Sequence, residues 1–177
     1  MDEVTRQFIE NAELRDLHAR LSATHRPVKA DVPEEHLRAL GLLTVRFQRL
    51  ELNLRQLCAA LYGLTAVGQR RVLGELPFGR LIKCTRAAAA DLPDHLGADV
   101  VLLCKLAGLA EQARNRLVHS VWTSGPRMKL AKGEFRFEQF EPGELLSVVG
   151  AIDWLDTCAD ALCWEVMSPD PAGYGSR

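Results

Sequence analysis

Leu40, Leu43, Phe47, Leu50, Leu54, Leu57 and Leu61 recur at alternating spacings of three and four residues. No strand keeps such positions on one face, whereas a helix lines them into a single seam. Pro33-Glu34-Glu35 precedes the run and suits a helix start, with proline early and carboxylates against the positive end of the dipole. A seam this long is buried against other helices, so the chain is committed to helix-on-helix packing.

The flanking sequence extends that expectation. Residues 2–23 read as an earlier helix with Val4, Phe8, Leu14 and Leu21 as apolar points, and Pro27 and Pro33 bracket a connector. Residues 63–76 hold three glycines and read as a loop. Pro77-Phe78-Gly79 opens a shorter helix through Ala90, ended by Asp91-Leu92-Pro93. A long helix is expected from about Ala98 to Trp122, with Leu102, Leu106, Leu109, Ala113, Leu117 and Val121 as its core stripe and Gly125-Pro126 as its stop. Arg127–Leu130 and Glu134–Phe140 alternate around Ala131-Lys132-Gly133 and suggest a small β-hairpin. Pro142-Gly143-Glu144 starts a last helix through about Met167, in which Trp154 and Trp164 are expected in the core. The fold class is all-α: a bundle of four to five helices with a small β-hairpin before the last helix. One domain is expected over residues 1–168, with a disordered tail at 169–177.

Composition narrows the function classes. The 177 residues suffice for one sizeable core, and no apolar run approaches the roughly 18–20 residues of a membrane span. Met1-Asp2-Glu3-Val4 lacks a signal-peptide profile, so a cytoplasmic protein with no membrane partner is expected. The five cysteines form no CxxC and sit in apolar stretches, which suits core thiols in a reducing compartment; neither metal nor cofactor is expected. The net charge of −1 conceals an asymmetry. Residues 41–136 carry 15 basic and 7 acidic side chains, while residues 137–177 carry 1 basic and 8 acidic. A basic middle suits a polyanion such as RNA, and an acidic last helix packed beside it would cancel the charge internally.

Chemistry concentrates in Arg114-Asn115-Arg116-Leu117-Val118-His119. On a helix, Asn115 and His119 share one face within about 40°, Glu111 and Trp122 extend that face, and Arg114 lies about 140° from His119. A histidine titrating near neutrality can take the proton of a 2′-hydroxyl or give one to a leaving 5′-oxygen. An arginine can hold the phosphate and stabilise charge in the transition state. Asn115 can orient the imidazole or touch the phosphate. The same residues also suit a solvated helix end, with His119 favoured by the dipole.

Arg114-Asn115-x-x-x-His119 resembles the motif of the HEPN superfamily: arginine, a polar residue, a short spacer and histidine, late in a long helix of a helical domain. Ser120, Trp122 and the upstream Phe78-Gly79-x-Leu81-Ile82 are also similar to stand-alone HEPN-like proteins. The resemblance implies a metal-independent endoribonuclease that leaves cyclic phosphate ends, with Arg114 and His119 catalytic and Asn115 supporting. It further implies a homodimer whose motif helices meet in a shared cleft, and a setting in toxin–antitoxin or antiphage defence, with a separate antitoxin or regulatory protein as a further partner. Relatives often carry an acidic residue on an early helix facing the motif. Glu51, on the polar stripe Thr44, Gln48, Glu51, Arg55, is the candidate, with a local ion pair to Arg55 as the alternative. Where some relatives have a modified tyrosine two residues after the histidine, this chain has Val121. Arg80, Lys83 and Arg86, at i, i+3 and i+6, together with Arg116, are candidate RNA-backbone contacts, with a solvated helix face as the alternative. Lys129, Lys132 and Arg136 on the hairpin, and the stripe Asp153, Asp156 and Asp160 on the last helix, are further charged features that could meet a partner or simply be solvated. The competing reading is a HEPN-like RNA-binding or protein-interaction module without catalysis.

Overall fold

Pro33 stands as N-cap of helix α1 (Glu34–Leu61), with Glu34 and Glu35 in its first turn. The helix ends where Gly63 adopts a left-handed φ of 60°. That turn lets the Leu64 N–H reach the Ala59 carbonyl at 2.8 Å and the Gly63 N–H reach Ala60 at 3.0 Å, satisfying carbonyls that the helix end leaves open. The computed structural model describes residues 32–119 and 140–167 throughout and the backbone of 121–122, 126–131 and 134–139. Before residue 32 it describes only Ala12 and Ala19, both helical. The chain divides into two compact units, Met1–Asp31 and Val32–Arg177, and the second holds every feature discussed below. The helix expected over 2–23, the tail at 169–177 and the hairpin side chains Lys129, Lys132 and Arg136 lie outside the described residues or atoms.

Helix α2 (Ala66–Leu73) corrects the expected loop at 63–76. The Thr65 hydroxyl accepts the Gly68 N–H at 3.2 Å, which caps the helix, and Leu73 is buried. Two of the three glycines flank the helix, and the third sits in its first turn. Their density suggested a loop, but only Gly63 needs its conformational freedom. Helix α3 (Phe78–Ala88) runs into a 3-10 turn at Ala89–Asp91, and α4 (Asp94–Val118) follows. Strands β1 (Val121–Trp122), β2 (Pro126–Ala131) and β3 (Glu134–Gln139) pair antiparallel in that order, with Val121 opposite Met128 and Leu130 opposite Phe135. Helix α5 (Pro142–Met167) closes the described chain.

The helices form an all-α core built around α1. Helix α5 runs parallel to it. His36 Nε2 of α1 lies 2.8 Å from the Phe140 carbonyl just ahead of α5, and further along Arg46 meets Asp153 at 3.2 Å and Arg49 meets Asp156 at 3.3 Å. The Asn53 amide donates to the same Asp156 at 2.7 Å. Two members of the acidic stripe thus face α1, where the basic helix neutralises them, and only Asp160 is exposed. Helix α4 runs antiparallel to α1: its Arg114 lies over Phe47, while its Cys104 is level with Cys58.

The expected seam of α1 is the buried one. Leu43, Phe47, Leu50, Leu54 and Leu57 are almost inaccessible, with Leu40 and Leu61 packed at its edges. On α4 the expectation holds for Leu117 but not for the three leucines before it. Leu103, Ala107 and Ala110 face inward with Leu96, Val100 and Leu117, whereas Leu102, Leu106 and Leu109 are exposed. Both faces of α4 are apolar, so periodicity finds two stripes and cannot rank them. The inner stripe is the less bulky and lets the helices approach closely. The helix also stops at Val118, four residues before the expected end, because Val121 and Trp122 enter a strand, the state that suits β-branched and aromatic side chains. Trp154 and Trp164, expected in the core, are 76% and 64% exposed. Of the five free thiols, Cys58, Cys104 and Cys163 are buried, Cys84 is half-buried and Cys158 is exposed. Burial pushes the Cys104 thiol up to about 11. Among the described residues no helix is long and apolar enough to cross a membrane.

Candidate functional site

The C-terminal half of α4 meets α1 and the start of α3 through an aromatic pair. Phe47 of α1 and Phe78 of α3 lie 4.7 Å apart between ring centroids, tilted by 53°. Phe78 is the first residue of α3, so the stacking fixes where that helix begins against α1. Gly79 follows, and a Cβ built on it would lie 3.6 Å from Glu111 Oε2. The Glu111 carboxylate therefore rests beside the first turn of α3, whose N-cap is a proline with no side-chain cap, and its charge suits that end of the helix.

Arg114 points into this junction. Its guanidinium carbon sits 5.4 Å from the Phe47 ring centroid, and Nη1 donates to Asn115 Oδ1 at 2.8 Å. Its Nε is buried with no hydrogen-bond partner among the described residues. The ion pairs among the described residues join Arg46, Arg49 and Arg55 to carboxylates, and none involves Arg114. A half-buried cation resting on an aromatic face, held by one amide and with donors unspent, is suited to take an anion.

His119 lies at the end of the same helix but faces elsewhere. It is the C-cap residue, with φ −87° and ψ 9°, and its N–H closes the last turn on the Asn115 carbonyl at 3.1 Å. The side chain is exposed. Asn115 thus connects the two residues by different atoms, its amide oxygen holding Arg114 and its backbone carbonyl holding the turn that carries His119. Trp122, placed on this helical face by the sequence pattern, belongs to β1 instead.

Glu51 does not join the site. Its carboxylate takes the Arg55 Nη2 donor at 2.5 Å, and Arg55 also donates to the carbonyls of Leu73 and Leu76, fastening the segment after α2 onto α1. Glu51 therefore orients a structural arginine, and among the described residues it pairs with neither Arg114 nor His119. Arg80, Lys83, Arg86 and Arg116 are all exposed. Arg80 sits in the first turn of α3, next to the junction. Arg86 borders an open groove of about 350 Å³ with Leu92, Asp94 and Gly97 at the other end of α4. Gly97 and His119 are separated by roughly 33 Å along the axis at 1.5 Å per residue. The basic track therefore leads away from the motif.

Phe78 falls in the segment that the sequence resemblance singles out, whereas Phe47 gives no such sign, because an aromatic on a heptad seam looks like any core residue. Glu111 carried a usable signal, its i,i+4 spacing from Asn115. No family model matches the chain, and no curated protein or solved structure shows significant similarity to it.

Proposed function

We propose that this protein is a metal-independent endoribonuclease that cleaves RNA by attack of a 2′-hydroxyl on the adjacent phosphodiester. The 2′-oxygen forms a bond to phosphorus, the bond to the 5′-oxygen breaks, and a 2′,3′-cyclic phosphate remains. Arg114 holds the phosphate, and its unspent donors meet the charge that grows on the non-bridging oxygens. His119 moves the proton, taking it from the 2′-hydroxyl or giving one to the departing 5′-oxygen. Asn115 positions Arg114. The observation that carries this reading is the half-buried Arg114, whose buried Nε has no hydrogen-bond partner and whose guanidinium makes no ion pair among the described residues, on the helix end that carries the exposed His119.

A homodimer that joins two motif helices belongs to this reading, and the exposed Leu102, Leu106 and Leu109 on α4 are what such a pairing would cover. Cytoplasmic action in defence, under a separate antitoxin or regulatory protein, completes it. A second reading, an RNA-binding module without catalysis, is favoured by one observation: within one chain Arg114 turns toward α1 while His119 faces outward.

The test is incubation of labelled RNA with the protein in EDTA, beside a His119→Ala variant of unchanged helicity. Cleavage by the wild type alone, ending in cyclic phosphates, is the expected result. RNA binding weakened by Arg114→Ala, without cleavage by any form, decides for the binding module.

A further inference from the structure

Phe47, Glu51 and Arg55 stand at i, i+4 and i+8 on α1 and so form one line along the helix. Both ends of that line hold the same short stretch of chain. At one end Phe47 packs against Phe78. At the other, Arg55 donates from Nη1 to the Leu73 carbonyl and from Nη2 to the Leu76 carbonyl at 2.9 Å. Glu51 accepts from the same Nη2 at 2.5 Å, and the Arg55 side chain is only 16% exposed. Helix side chains lean toward the N-terminus, so this guanidinium lies level with Glu51, one turn from Phe47. The Leu73 carbonyl does not need the arginine for its own satisfaction, since it already accepts the Leu76 N–H at 3.2 Å. Arg55 therefore clasps the turn itself, the link from α2 into α3.

We propose that Arg55, oriented by Glu51, is a positioning residue for the anion site at Arg114. The inference rests on the reading of Arg114 as the group that holds the phosphate. Leu76 and Phe78 are separated by one residue, Pro77, which is the N-cap of α3 with φ −57°. The proline ring fixes that angle and also restricts Leu76 before it, so the link is stiff. Two residues span at most about 7 Å, which leaves a shift at the Leu76 carbonyl little slack before it reaches Phe78. The Pro77 carbonyl accepts the N–H groups of Arg80 at 2.9 Å and Leu81 at 3.0 Å, so the same residue sets the direction in which α3 departs. Phe78 in turn sets the tilt of the Phe47 ring, on which the Arg114 guanidinium rests. Gly79 carries the same displacement to α4, because it lies against Glu111, one turn ahead of Asn115. Glu51 thus bears on Arg114 without touching it, by holding the arginine that holds the turn.

Nuclear magnetic resonance on the full chain, beside an assay with labelled single-stranded RNA, tests it. The Arg114 Nε–H signal, assigned by its loss in Arg114→Lys, reports on the buried Nε and the ring beneath it. Arg55→Met is expected to move that signal and to speed its exchange with water. RNA binding or cleavage is expected to fall roughly 10- to 100-fold, since a misplacement of about 1 Å costs up to about 100-fold. Arg55→Lys, which keeps a cation within reach of a carbonyl, is expected to recover part of both. Glu51→Ala leaves the carbonyl bonds in place and gives a smaller shift in the same direction, and it carries the test should Arg55→Met fail to fold. Asp156→Ala, which loosens the opposite flank of α1, is expected to leave the signal where it is. A signal unmoved by the Arg55 and Glu51 variants overturns the proposal. So does one moved equally by Asp156→Ala, which would be general loosening, and so does full RNA activity in a variant whose signal has moved. If the wild type neither binds nor cleaves RNA, the ribonuclease reading fails, and the Arg114 signal still decides whether Arg55 sets that side chain.

Discussion

The two sides of α1 treat positive charge in opposite ways. Toward α5, Arg46 and Arg49 meet Asp153 and Asp156, and Asn53 fills another lone pair of the buried Asp156. Toward α4, Phe47 presents an aromatic face to Arg114, and no carboxylate pairs with that guanidinium among the described residues. One side is electrostatically closed and serves cohesion. The other holds a cation with binding capacity left over, which costs stability and is useful only if an anion arrives.

The sharpest way to break this contrast is Arg114→Met. If the cation is there for a ligand, RNA affinity or cleavage falls roughly 100-fold or more, while the melting temperature holds or rises because an unpaired buried charge has gone. A lower melting temperature with RNA activity intact would make Arg114 a structural residue. On the closed side, Asp156→Ala strands the half-buried Asn53 amide and is expected to cost about 2 kcal/mol in urea unfolding, with no change in RNA behaviour beyond that loss. Asn115→Ala sharpens the open side. It frees one end of Arg114, and an RNA effect of about tenfold, the worth of one charge-assisted hydrogen bond, is expected with the fold unchanged. The smallest effect belongs to Arg46→Ala. Its pair with Asp153 is about one-third exposed on both sides, so denaturation should register under about 1 kcal/mol, shrinking further in salt.

How far each region was legible follows from how many faces its helix leaves apolar. Helix α1 has one apolar seam between polar flanks, and Leu43 to Leu57 lie where the sequence puts them. Helices α4 and α5 are apolar on two sides: on α4 periodicity chose Leu102, Leu106 and Leu109 for the core, and on α5 the size of the indoles suggested Trp154 and Trp164, yet the structure exposes all five. Arg114 and Asn115 could be paired from the chain because they are adjacent and chemically distinctive. The Phe47 platform beneath Arg114 could not, since it comes from a helix 67 positions earlier and carries no mark beyond hydrophobicity. Glu51 had two explanations in the sequence, a distant one in the motif and a local one four residues on, and its geometry takes the local one, Arg55.

The parallel run of α1 and α5 has a consequence for how the protein is made. Their first contact, His36 with the Phe140 carbonyl, joins positions 104 residues apart. At roughly 5–20 residues per second on the ribosome, α1 waits on the order of 5–20 s for the helix that covers its flank. During that interval Arg46 and Arg49 lack the carboxylates of Asp153 and Asp156 that they meet in the folded chain. The ion pairs that join α1 to the acidic last helix can therefore form only after translation has passed Asp153 and Asp156.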